Sequence, residues 1–350
     1  MKTVHVNASK EYDVLIGSGL LETLGTHAAA QKKAVRVCIV SDSNVWPLYG
    51  KKAEENLKES GLDVVSFIIP AGEESKNGLT YLELLNHLAE NKLTRSDLIV
   101  ALGGGVVGDL AGFAAATYLR GIRFIQVPTT LLAAVDSSVG GKTAIDLPSG
   151  KNLAGAFYQP VLVLCDTDCL DSLPEEVFRD GCAEVIKYGI LYDPTLFSTL
   201  SKEGLSFNRE EVIARCVELK RDVVAEDEFD TGARMKLNLG HTVGHGIEAA
   251  SNYEISHGKA VAIGTAIVTR AACSSGICEE STHESILEVL NKFGLPCFCS
   301  YSAKALYEHA LSDKKRSGGS VSLILPRAIG DCIISPTQVT EIQSFIEAGL

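Results

Sequence analysis

The chain has 350 residues, enough for two domains that each bury a core, and 46% of the residues are hydrophobic. With a mean hydropathy of +0.15, this composition argues against an intrinsically disordered protein. The formal net charge of −12 disfavours non-specific binding to nucleic acid or to anionic membrane surfaces.

The sequence predicts a cytoplasmic protein that does not enter a membrane. Residues 1–17 contain no apolar segment of the kind found in secretory signals. No apolar run approaches the roughly 18 residues that span a bilayer. The ten cysteines include no C-x-x-C pair, and most lie in apolar runs, so we expect reduced thiols in the core.

Short β-rich runs alternate with helical segments up to about residue 165. Strands are predicted at 35–40, 63–70, 97–102, 123–128 and 161–166, and helices at 78–91 and 110–118. Such alternation is typical of a parallel sheet with helices on its faces. The segment TAIDLPSGKN, residues 143–152, predicts a hairpin with its turn at the Pro-Ser-Gly sequence.

Helical patterns dominate after residue 166. Helices are predicted at 174–190, 209–225, 234–250, 257–275, 283–293 and 302–311, with one late strand at 321–326. The predicted fold class is therefore α/β, in two domains. Residues 1–165 form a Rossmann-like, parallel-sheet nucleotide-binding domain, and residues 166–350 form a mostly α-helical domain that binds metal and substrate.

A glycine-rich loop follows the third predicted strand. Gly103, Gly105 and Gly108 satisfy G-x-G-x-x-G, in which glycines let the backbone approach a pyrophosphate at a helix N-terminus. The motif alone is weak, because a tight strand-to-helix turn also requires glycines. Other predicted strand ends carry small polar residues, as a nucleotide site requires: Asp42, Asn44, Thr129 and Thr130.

A polar stripe in the segment 234–250 points to a metal site. At spacings of 4, 3, 4 and 3, one face of the predicted helix carries Arg234, Asn238, His241, His245 and Glu248. Glycines interrupt the segment, so it is more typical of a site than of a core. Spacing alone allows zinc on His241, His245 and His257.

Several other charged residues are candidates for a site, although each taken singly is typical of a solvated surface. Glu184 and Lys187 are stronger candidates, because their surroundings in GCAEVIKYGIL are apolar. The remaining charged and polar candidates follow glycine-dense turns or lie on predicted helices and loops: Asp136, Lys142, Lys151, Asn152, Lys220 and Lys314.

Long motifs in a fixed order resemble 3-dehydroquinate synthase of the shikimate pathway, a family of sugar phosphate cyclases. PAGEESK resembles its nucleotide segment, and GGGVVGDLAGFAAATYLRG, VPTTLLAAVDSSVGGKTAID and GKNLAGAFYQP resemble its NAD and active-site core. AEVIKYG, LNLGHTVGHGIE and HGKAVAIG resemble its metal segments. The resemblance covers nearly the whole chain and departs visibly only at Ala71, where the family commonly has a polar residue or proline.

The resemblance implies one Zn²⁺ or Co²⁺ ion on Glu184, His241 and His257, with His245 facing the substrate as a proton-relay group. It places the remaining substrate-handling residues at Arg120, Asp136, Lys142, Asn152, Lys187, Lys220, Arg234, Asn238 and Lys314. It implies NAD binding by Asp42, Asn44, Gly72, Glu73, Lys76, Gly104, Gly105, Val106, Val107, Gly108, Asp109, Thr129, Thr130, Lys142, Lys151, Cys169, Leu170, Asp171 and Ser172.

The implied reaction converts 3-deoxy-D-arabino-heptulosonate 7-phosphate into 3-dehydroquinate and phosphate. It proceeds by NAD-dependent transient oxidation, β-elimination of phosphate, reduction, ring opening and intramolecular aldol closure. The family also implies a homodimer, in which Arg120 reaches a partner subunit. Two alternatives remain at this stage, namely a sibling cyclase that acts on another sugar phosphate and a metal- and NAD-dependent alcohol dehydrogenase of the glycerol type.

Overall fold

The computed structural model describes residues 1–31, 33–310 and 319–350. Its strands are β1 (Lys2–Val6), β2 (Tyr12–Gly17), β3 (Arg36–Asp42), β4 (Asp63–Ile69), β5 (Leu98–Gly103), β6 (Arg123–Pro128), β7 (Lys142–Leu147), β8 (Gly150–Phe157), β9 (Leu162–Asp166), β10 (Ser320–Ala328) and β11 (Asp331–Gln338). Its helices are α1 (Leu24–Ala29), α2 (Lys51–Glu59), α3 (Gly78–Glu90), α4 (Gly105–Thr117), α5 (Glu175–Tyr192), α6 (Pro194–Glu203), α7 (Arg209–Glu226), α8 (His241–Ala250), α9 (His257–Ser274), α10 (Glu280–Lys292), α11 (Ala303–Ala310) and α12 (Val339–Gly349).

The chain divides into two compact units that are interleaved in sequence. Unit 1 consists of Met1–Leu173 and Arg209–Phe229, and unit 2 of Pro174–Asn208 and Asp230–Leu350. The sequence assigns helix 209–225 to the second domain, whereas α7 lies in unit 1 and packs on β1 and on the helical turn Ala133–Ser137. An amphipathic pattern shows that a helix has a buried face but not which surface covers that face. The domain boundary at residue 165 stays a prediction.

Unit 1 is built on a seven-stranded sheet in the order β1-β2-β9-β6-β5-β3-β4. Only β1 and β2 pair antiparallel, and the other neighbours are parallel. Alternate residues of β3 face opposite sides of the sheet, so that Val37 joins a core with Leu24 and Leu57 while Cys38 joins one with Leu84. Helices therefore cover both faces, as the alternation of strands and helices predicts.

A separate antiparallel hairpin of β7 and β8 follows the sheet strands. It confirms the hairpin predicted from TAIDLPSGKN. Its tip carries Asn152 with a left-handed backbone, at φ 56°. A single bridge between Asn77 and Asp146 connects β7 to the start of α3, so the hairpin tip is tied to the segment that follows β4.

Unit 2 contains seven helices among its described residues, together with the antiparallel hairpin of β10 and β11. The predicted fold class is thus confirmed, with a parallel-sheet unit and a mostly helical unit. The sequence predicts only one of the two late strands. The partner strand β11 is half-exposed and contains Pro336, which weakens its strand pattern.

The predicted single helix over 234–250 is wrong. The segment is a short 3-10 turn, Ala233–Asn238, followed by α8, and the two are separated by Gly240 at φ 76°. A Cβ on Gly240 would lie 2.3 Å from the Thr265 hydroxyl on α9, and a Cβ on Gly264 would lie 2.1 Å from the Gly240 carbonyl. The glycines therefore allow α8 and α9 to pack closely, and the break removes Arg234 and Asn238 from the helix that carries the histidines.

The other missed elements are short or lie at the ends of the described chain. They include β1, β2, α1, α2, α6 and α12. Among the described residues, no helix combines the length and the apolar character needed to cross a bilayer.

Candidate active site

Three side chains of unit 2 form a potential metal centre. Glu184 lies in the middle of α5, His241 is the first residue of α8, and His257 is the first residue of α9. The Nε2 atoms of His241 and His257 lie 3.4 and 3.5 Å from the same Glu184 oxygen, Oε1. One ligand atom from each residue lies within 4.8 Å of the others, which suits a small divalent cation with nitrogen and oxygen ligands.

The other ring nitrogen of each histidine has its own partner. His241 Nδ1 is 3.0 Å from the Leu239 carbonyl oxygen, and His257 Nδ1 is 3.6 Å from Glu248 Oε1. An acceptor at Nδ1 fixes the ring orientation and leaves Nε2 as the ligand atom, an arrangement common around bound zinc. Both imidazoles are therefore oriented toward Glu184.

The electrostatics of the three residues also fit a cation. Burial lowers the pKa of His241 to about 3, so this ring is neutral near pH 7 and can act as a ligand. Burial lowers the pKa of His257 too, but hydrogen bonds to Glu184 and Glu248 outweigh it and raise the pKa to about 10. A positive charge is thus favoured between these carboxylates, and a divalent cation can replace the proton.

A second grouping shares one residue with the first. His245, Glu248 and His257 also place one ligand atom each within 4.8 Å. His245 is exposed, whereas Glu184 is fully buried and His241 is 12% exposed. A buried carboxylate facing two imidazole nitrogens fits a metal better, because its desolvation is offset by the cation. His245 lies beside the site, with its ring centroid 5.6 Å from that of His241.

Two of the basic residues predicted in unit 2 lie in buried positions. Lys187 is one helical turn beyond Glu184, is 2% exposed, and forms an ion pair with Glu184. Arg234 is also 2% exposed, while Asn238 is half-buried in the same 3-10 turn. A guanidinium presents a planar set of donors that matches a carboxylate, so Arg234 remains a candidate for binding an anionic group.

The predicted nucleotide residues of unit 1 lie at the carboxyl edge of the sheet. The glycine-rich segment runs from the end of β5 through Gly104 into the first turn of α4. Asp42 ends β3, and Thr129 follows β6. Along the chain, β3 is followed by β4 at one edge of the sheet and then by β5 on the opposite side of β3. The direction of strand order therefore reverses between β3 and β5, and open α/β sheets bind ligands at such a switch point. The Thr129 hydroxyl is buried there and has no hydrogen-bond partner among the described residues.

A buried lysine joins several predicted residues of unit 1. Lys76 is 5% exposed, and its Nζ lies 2.8 Å from Glu73 Oε1, 3.3 Å from Asp109 Oδ2 and 2.8 Å from Asn152 Oδ1. Lys151 approaches the same Glu73 oxygen at 3.7 Å. Burial raises the pKa of Asp109 to about 6 although Lys76 opposes it. Nucleotide and substrate residues inferred from distant motifs therefore form one polar cluster.

Two further predicted residues of unit 1, which are far apart in the sequence, form an ion pair. Lys220 on α7 is 5% exposed and donates hydrogen bonds of 2.7 Å to both the backbone oxygen and Oδ1 of Asp136. The ion pair adds to the packing of α7 on β1 and on the turn Ala133–Ser137 of unit 1. It also holds the lysine side chain in one position, as a residue that binds an anionic substrate requires.

The remaining predicted residues are less closely connected. Arg120 is exposed at φ 67°, and no hydrogen bond or ion pair joins it to the others within the described ranges. Lys142 begins β7. The segment Cys169–Ser172 follows β9, where the Tyr49 hydroxyl donates to Ser172 Oγ at 2.6 Å. Lys314 lies outside the described residues.

Two acidic residues with a place in these clusters were not predicted as site residues. Glu248 orients His257, and Asp146 Oδ1 accepts a 2.8 Å hydrogen bond from the backbone N–H of Asn152. Asp146 also lies 3.8 Å from Lys76 Nζ. Glu248 belongs to the polar stripe, so its spacing from His241 and His245 could have identified it as a site residue. Asp146 lies near the end of β7, next to the hairpin turn where acidic residues are common, and offers no such signal.

Comparison with protein-family models gives two adjacent matches. The model described as 3-dehydroquinate synthase N-terminal matches residues 66–180, and the model described as 3-dehydroquinate synthase C-terminal matches residues 181–316. Together they cover more than half of the chain. The chain belongs to the 3-dehydroquinate synthase family.

Curated relatives agree with this assignment along nearly the full length. A 3-dehydroquinate synthase of Pelobacter propionicus is 47% identical in an alignment of 343 residues, and the match covers 95% of this chain and 96% of the relative. One from Clostridium acetobutylicum is 43% identical, with 99% of both chains covered. The predictions of the family and of an enzyme of the 3-dehydroquinate synthase type are therefore confirmed.

Solved structures with the same fold include other members of the cyclase group. A 2-deoxy-scyllo-inosose synthase complexed with carbaglucose-6-phosphate, NAD⁺ and Co²⁺ superposes with a TM-score of 0.90 at 27% identity, over 100% of both chains. The 2-epi-5-epi-valiolone synthase of Streptomyces hygroscopicus, with NAD⁺ and Zn²⁺ bound, gives 0.86 at 28% identity, over 98% of each. An iron-containing alcohol dehydrogenase at 17% identity, with a TM-score of 0.69, shares only the fold with this 3-dehydroquinate synthase family member.

Proposed function

We propose that the chain converts 3-deoxy-D-arabino-heptulosonate 7-phosphate into 3-dehydroquinate and phosphate, the second step of chorismate and aromatic amino acid biosynthesis. The observation that carries the proposal is the convergence of His241 Nε2 and His257 Nε2 on one buried oxygen of Glu184, in a chain of this family. We assign the divalent metal, Zn²⁺ or Co²⁺, to these three residues. The two cyclases with bound NAD⁺ and Co²⁺ or Zn²⁺ support this assignment.

NAD is assigned to unit 1, at the carboxyl edge of its sheet. The glycine-rich N-terminal turn of α4 from Gly104 to Asp109, with Asp42, Asn44, Thr129 and Thr130, provides close backbone approach and polar contacts at the switch point. The buried Thr129 hydroxyl fits a ligand, since a buried polar atom without a partner is costly. When bound, the metal and NAD supply Lewis-acid polarisation of a hydroxyl and reversible acceptance of hydride.

The chain's own residues bind and orient the substrate. Arg234 offers a planar set of donors that matches a carboxylate, and Lys187, Lys220 and Asn238 supply further donors for the carboxylate and hydroxyls. Lys142, Asn152 and Lys314 are assigned to the phosphate. His245, exposed beside His241, exchanges protons with the substrate. Within the part of the chain that the structure describes, no side chain stands out as the base for elimination, so we assign that role to the departing phosphate.

Asp146 provides a prediction about the phosphate end. Replacing it with alanine removes the acceptor that holds Asn152 in its left-handed conformation. We expect the KM for the sugar phosphate to rise roughly tenfold to a hundredfold, since hydrogen bonds to charged groups contribute about 1.5–3 kcal/mol. Steady-state kinetics measure the change. Asp146→Asn retains an acceptor oxygen and should recover part of the loss, and an unchanged KM in both variants would contradict this role.

Two alternatives are less well supported. A sibling cyclase would act on a sugar phosphate without a carboxylate, which leaves the buried Arg234 without an anionic partner on its substrate. An alcohol dehydrogenase would need few phosphate-binding lysines and would accumulate NADH. The likeness to alcohol dehydrogenases is a likeness of fold alone.

The test of the proposal is phosphate release from the heptulosonate phosphate with substoichiometric NAD. We expect many turnovers per NAD, because the hydride returns to the substrate within each cycle. We expect a chelator to abolish release and added Zn²⁺ or Co²⁺ to restore it. A steady rise in NADH absorbance would favour the dehydrogenase, and turnover of glucose 6-phosphate or sedoheptulose 7-phosphate instead would favour a sibling cyclase.

We further propose a cytoplasmic homodimer that binds neither nucleic acid nor membranes. The free cysteines, most of them buried, fit a reducing compartment, and the net charge of −12 disfavours nucleic acid. Arg120 is exposed on a left-handed turn, as expected of a residue presented to a partner subunit. A monomer in sedimentation experiments would contradict the dimer.

A further inference from the structure

A second group of metal-ligating side chains lies in unit 2, apart from the residues discussed so far. Cys273 is on the last turn of α9, and Glu280 and His283 are on the first turn of α10. One ligand atom from each residue lies within 4.8 Å of the others. We call these three residues the α9–α10 cluster. None of them is among the residues assigned to NAD, substrate or the first metal.

The distances within the α9–α10 cluster resemble the edges of a metal coordination shell. The Cys273 thiol donates to Glu280 Oε2 at 3.1 Å, and His283 Nδ1 lies 3.4 Å from Glu280 Oε1. Zinc bonds of about 2.3 Å to sulfur and 2.0–2.2 Å to nitrogen or oxygen imply tetrahedral edges of roughly 3.3–3.7 Å. The two contacts end on different oxygens of the Glu280 carboxylate, and one donor atom from each residue lies within 4.8 Å of the others, so side-chain rotations can bring the three donors onto one ion.

Local structure holds the donors on adjoining helix ends. Glu280 and His283 are three residues apart on α10 and so project from one face. The connection to Cys273 turns sharply at Gly276, which has φ 71°. The His283 side chain is 15% exposed, and its Nε2 is buried without a hydrogen-bond partner among the described residues. Glu280 is 70% exposed, which leaves a route for an ion from solvent.

The α9–α10 cluster cannot share an ion with the first metal centre. His257 begins α9 and Cys273 lies near its end, and sixteen residues of helix span about 24 Å. The donor types also differ. A thiol and an imidazole favour zinc or cobalt over magnesium or calcium, whose ligands are mainly oxygen atoms.

We propose that Cys273, Glu280 and His283 bind a second divalent ion, Zn²⁺ or Co²⁺, which joins the end of α9 to the start of α10. Binding deprotonates the Cys273 thiol, and the proton leaves to solvent as the sulfur–metal bond forms. Water completes the coordination shell. The site is structural, because its ligands take no part in the proposed reaction and the ion bridges two helices that follow each other in the chain.

Cobalt titration distinguishes the two sites by spectroscopy. A thiolate bound to Co²⁺ gives a sulfur-to-cobalt charge-transfer band in the near ultraviolet, whereas the set Glu184, His241 and His257 contains no sulfur. The full-length protein is stripped with a chelator and titrated with Co²⁺ alone, while bound cobalt is measured by equilibrium dialysis. We expect two bound equivalents, one of which produces the charge-transfer band.

Variants of the α9–α10 cluster and a matched cysteine provide the controls. Cys273→Ser should lose the band and one equivalent, and His283→Ala should weaken that equivalent at least tenfold, while turnover of the heptulosonate phosphate is unchanged in both. Cys299→Ser, at the other half-buried cysteine, should keep the band. Absence of the band in the unmodified protein, or its persistence in Cys273→Ser, would overturn the proposal.

Discussion

Replacing Glu184 with glutamine is expected to release the metal and to abolish turnover. The substitution keeps the shape of the side chain but removes the negative charge that faces both Nε2 atoms of His241 and His257. Loss of a residue that only orients a ligand costs 10–100-fold in metal affinity or activity, so loss of a charged ligand should exceed that range. Metal content after dialysis and the rate of phosphate release measure the two effects.

Two control variants separate this assignment from the alternative group of His245, Glu248 and His257. Glu248→Gln should weaken metal binding by about 10–100-fold, as expected for a residue that orients His257 through Nδ1. His245→Ala should retain the metal and lose rate, because its ring is exposed beside the site. Metal retained in Glu184→Gln but lost in His245→Ala would reverse the ligand assignment.

The fold of unit 1 could be predicted from local patterns for a physical reason. Strands buried on both faces are continuous apolar runs, as in β3 and β5, and glycines mark the turn from β5 into α4. These signals lie within a few residues of one another. The edge strand β1 was missed because it alternates exposed and buried residues over only five positions.

Local sequence patterns predict only some of the metal-binding residues. Periodicity places His241 and His245 on one helical face but cannot bring in Glu184, which is on another helix more than fifty residues earlier. The apolar surroundings of Glu184 made it a candidate site residue, and the resemblance to the family supplied its role as a metal ligand. Periodicity also assumed a continuous helix through Gly240, whose role in the close approach of α8 and α9 depends on tertiary packing.

Lys76→Met is expected to destabilise unit 1 by about 3–5 kcal/mol, the range for removing one partner of a buried ion pair. The buried ammonium group faces Glu73, Asp109 and Asp146, and methionine would leave these carboxylates together without it. NAD binding should weaken as well, since Glu73 and Asp109 belong to the proposed nucleotide site. Chemical denaturation and NAD titration measure the two losses.

The pH dependence of this loss has a definite sign. Burial already raises the pKa of Asp109 to about 6, above the ordinary value of 3.8, and removal of Lys76 should raise it further. A carboxyl group whose pKa is raised by folding favours the folded state while it is protonated, and that contribution disappears as the pH rises through the folded pKa. The variant should therefore be closer in stability to the unmodified protein at pH 5 than at pH 8.

Lys151→Met is the matched control for this effect. Lys151 Nζ is 3.7 Å from the same Glu73 oxygen, but its side chain is 29% exposed, against 5% for Lys76. Water solvates the more exposed ammonium group, so its loss should cost no more than about 1 kcal/mol. Two results would contradict this account: equal destabilisation by the two substitutions, or a loss of stability in Lys76→Met that does not grow with pH. Either would show that the burial of Lys76 among the carboxylates does not stabilise this cluster.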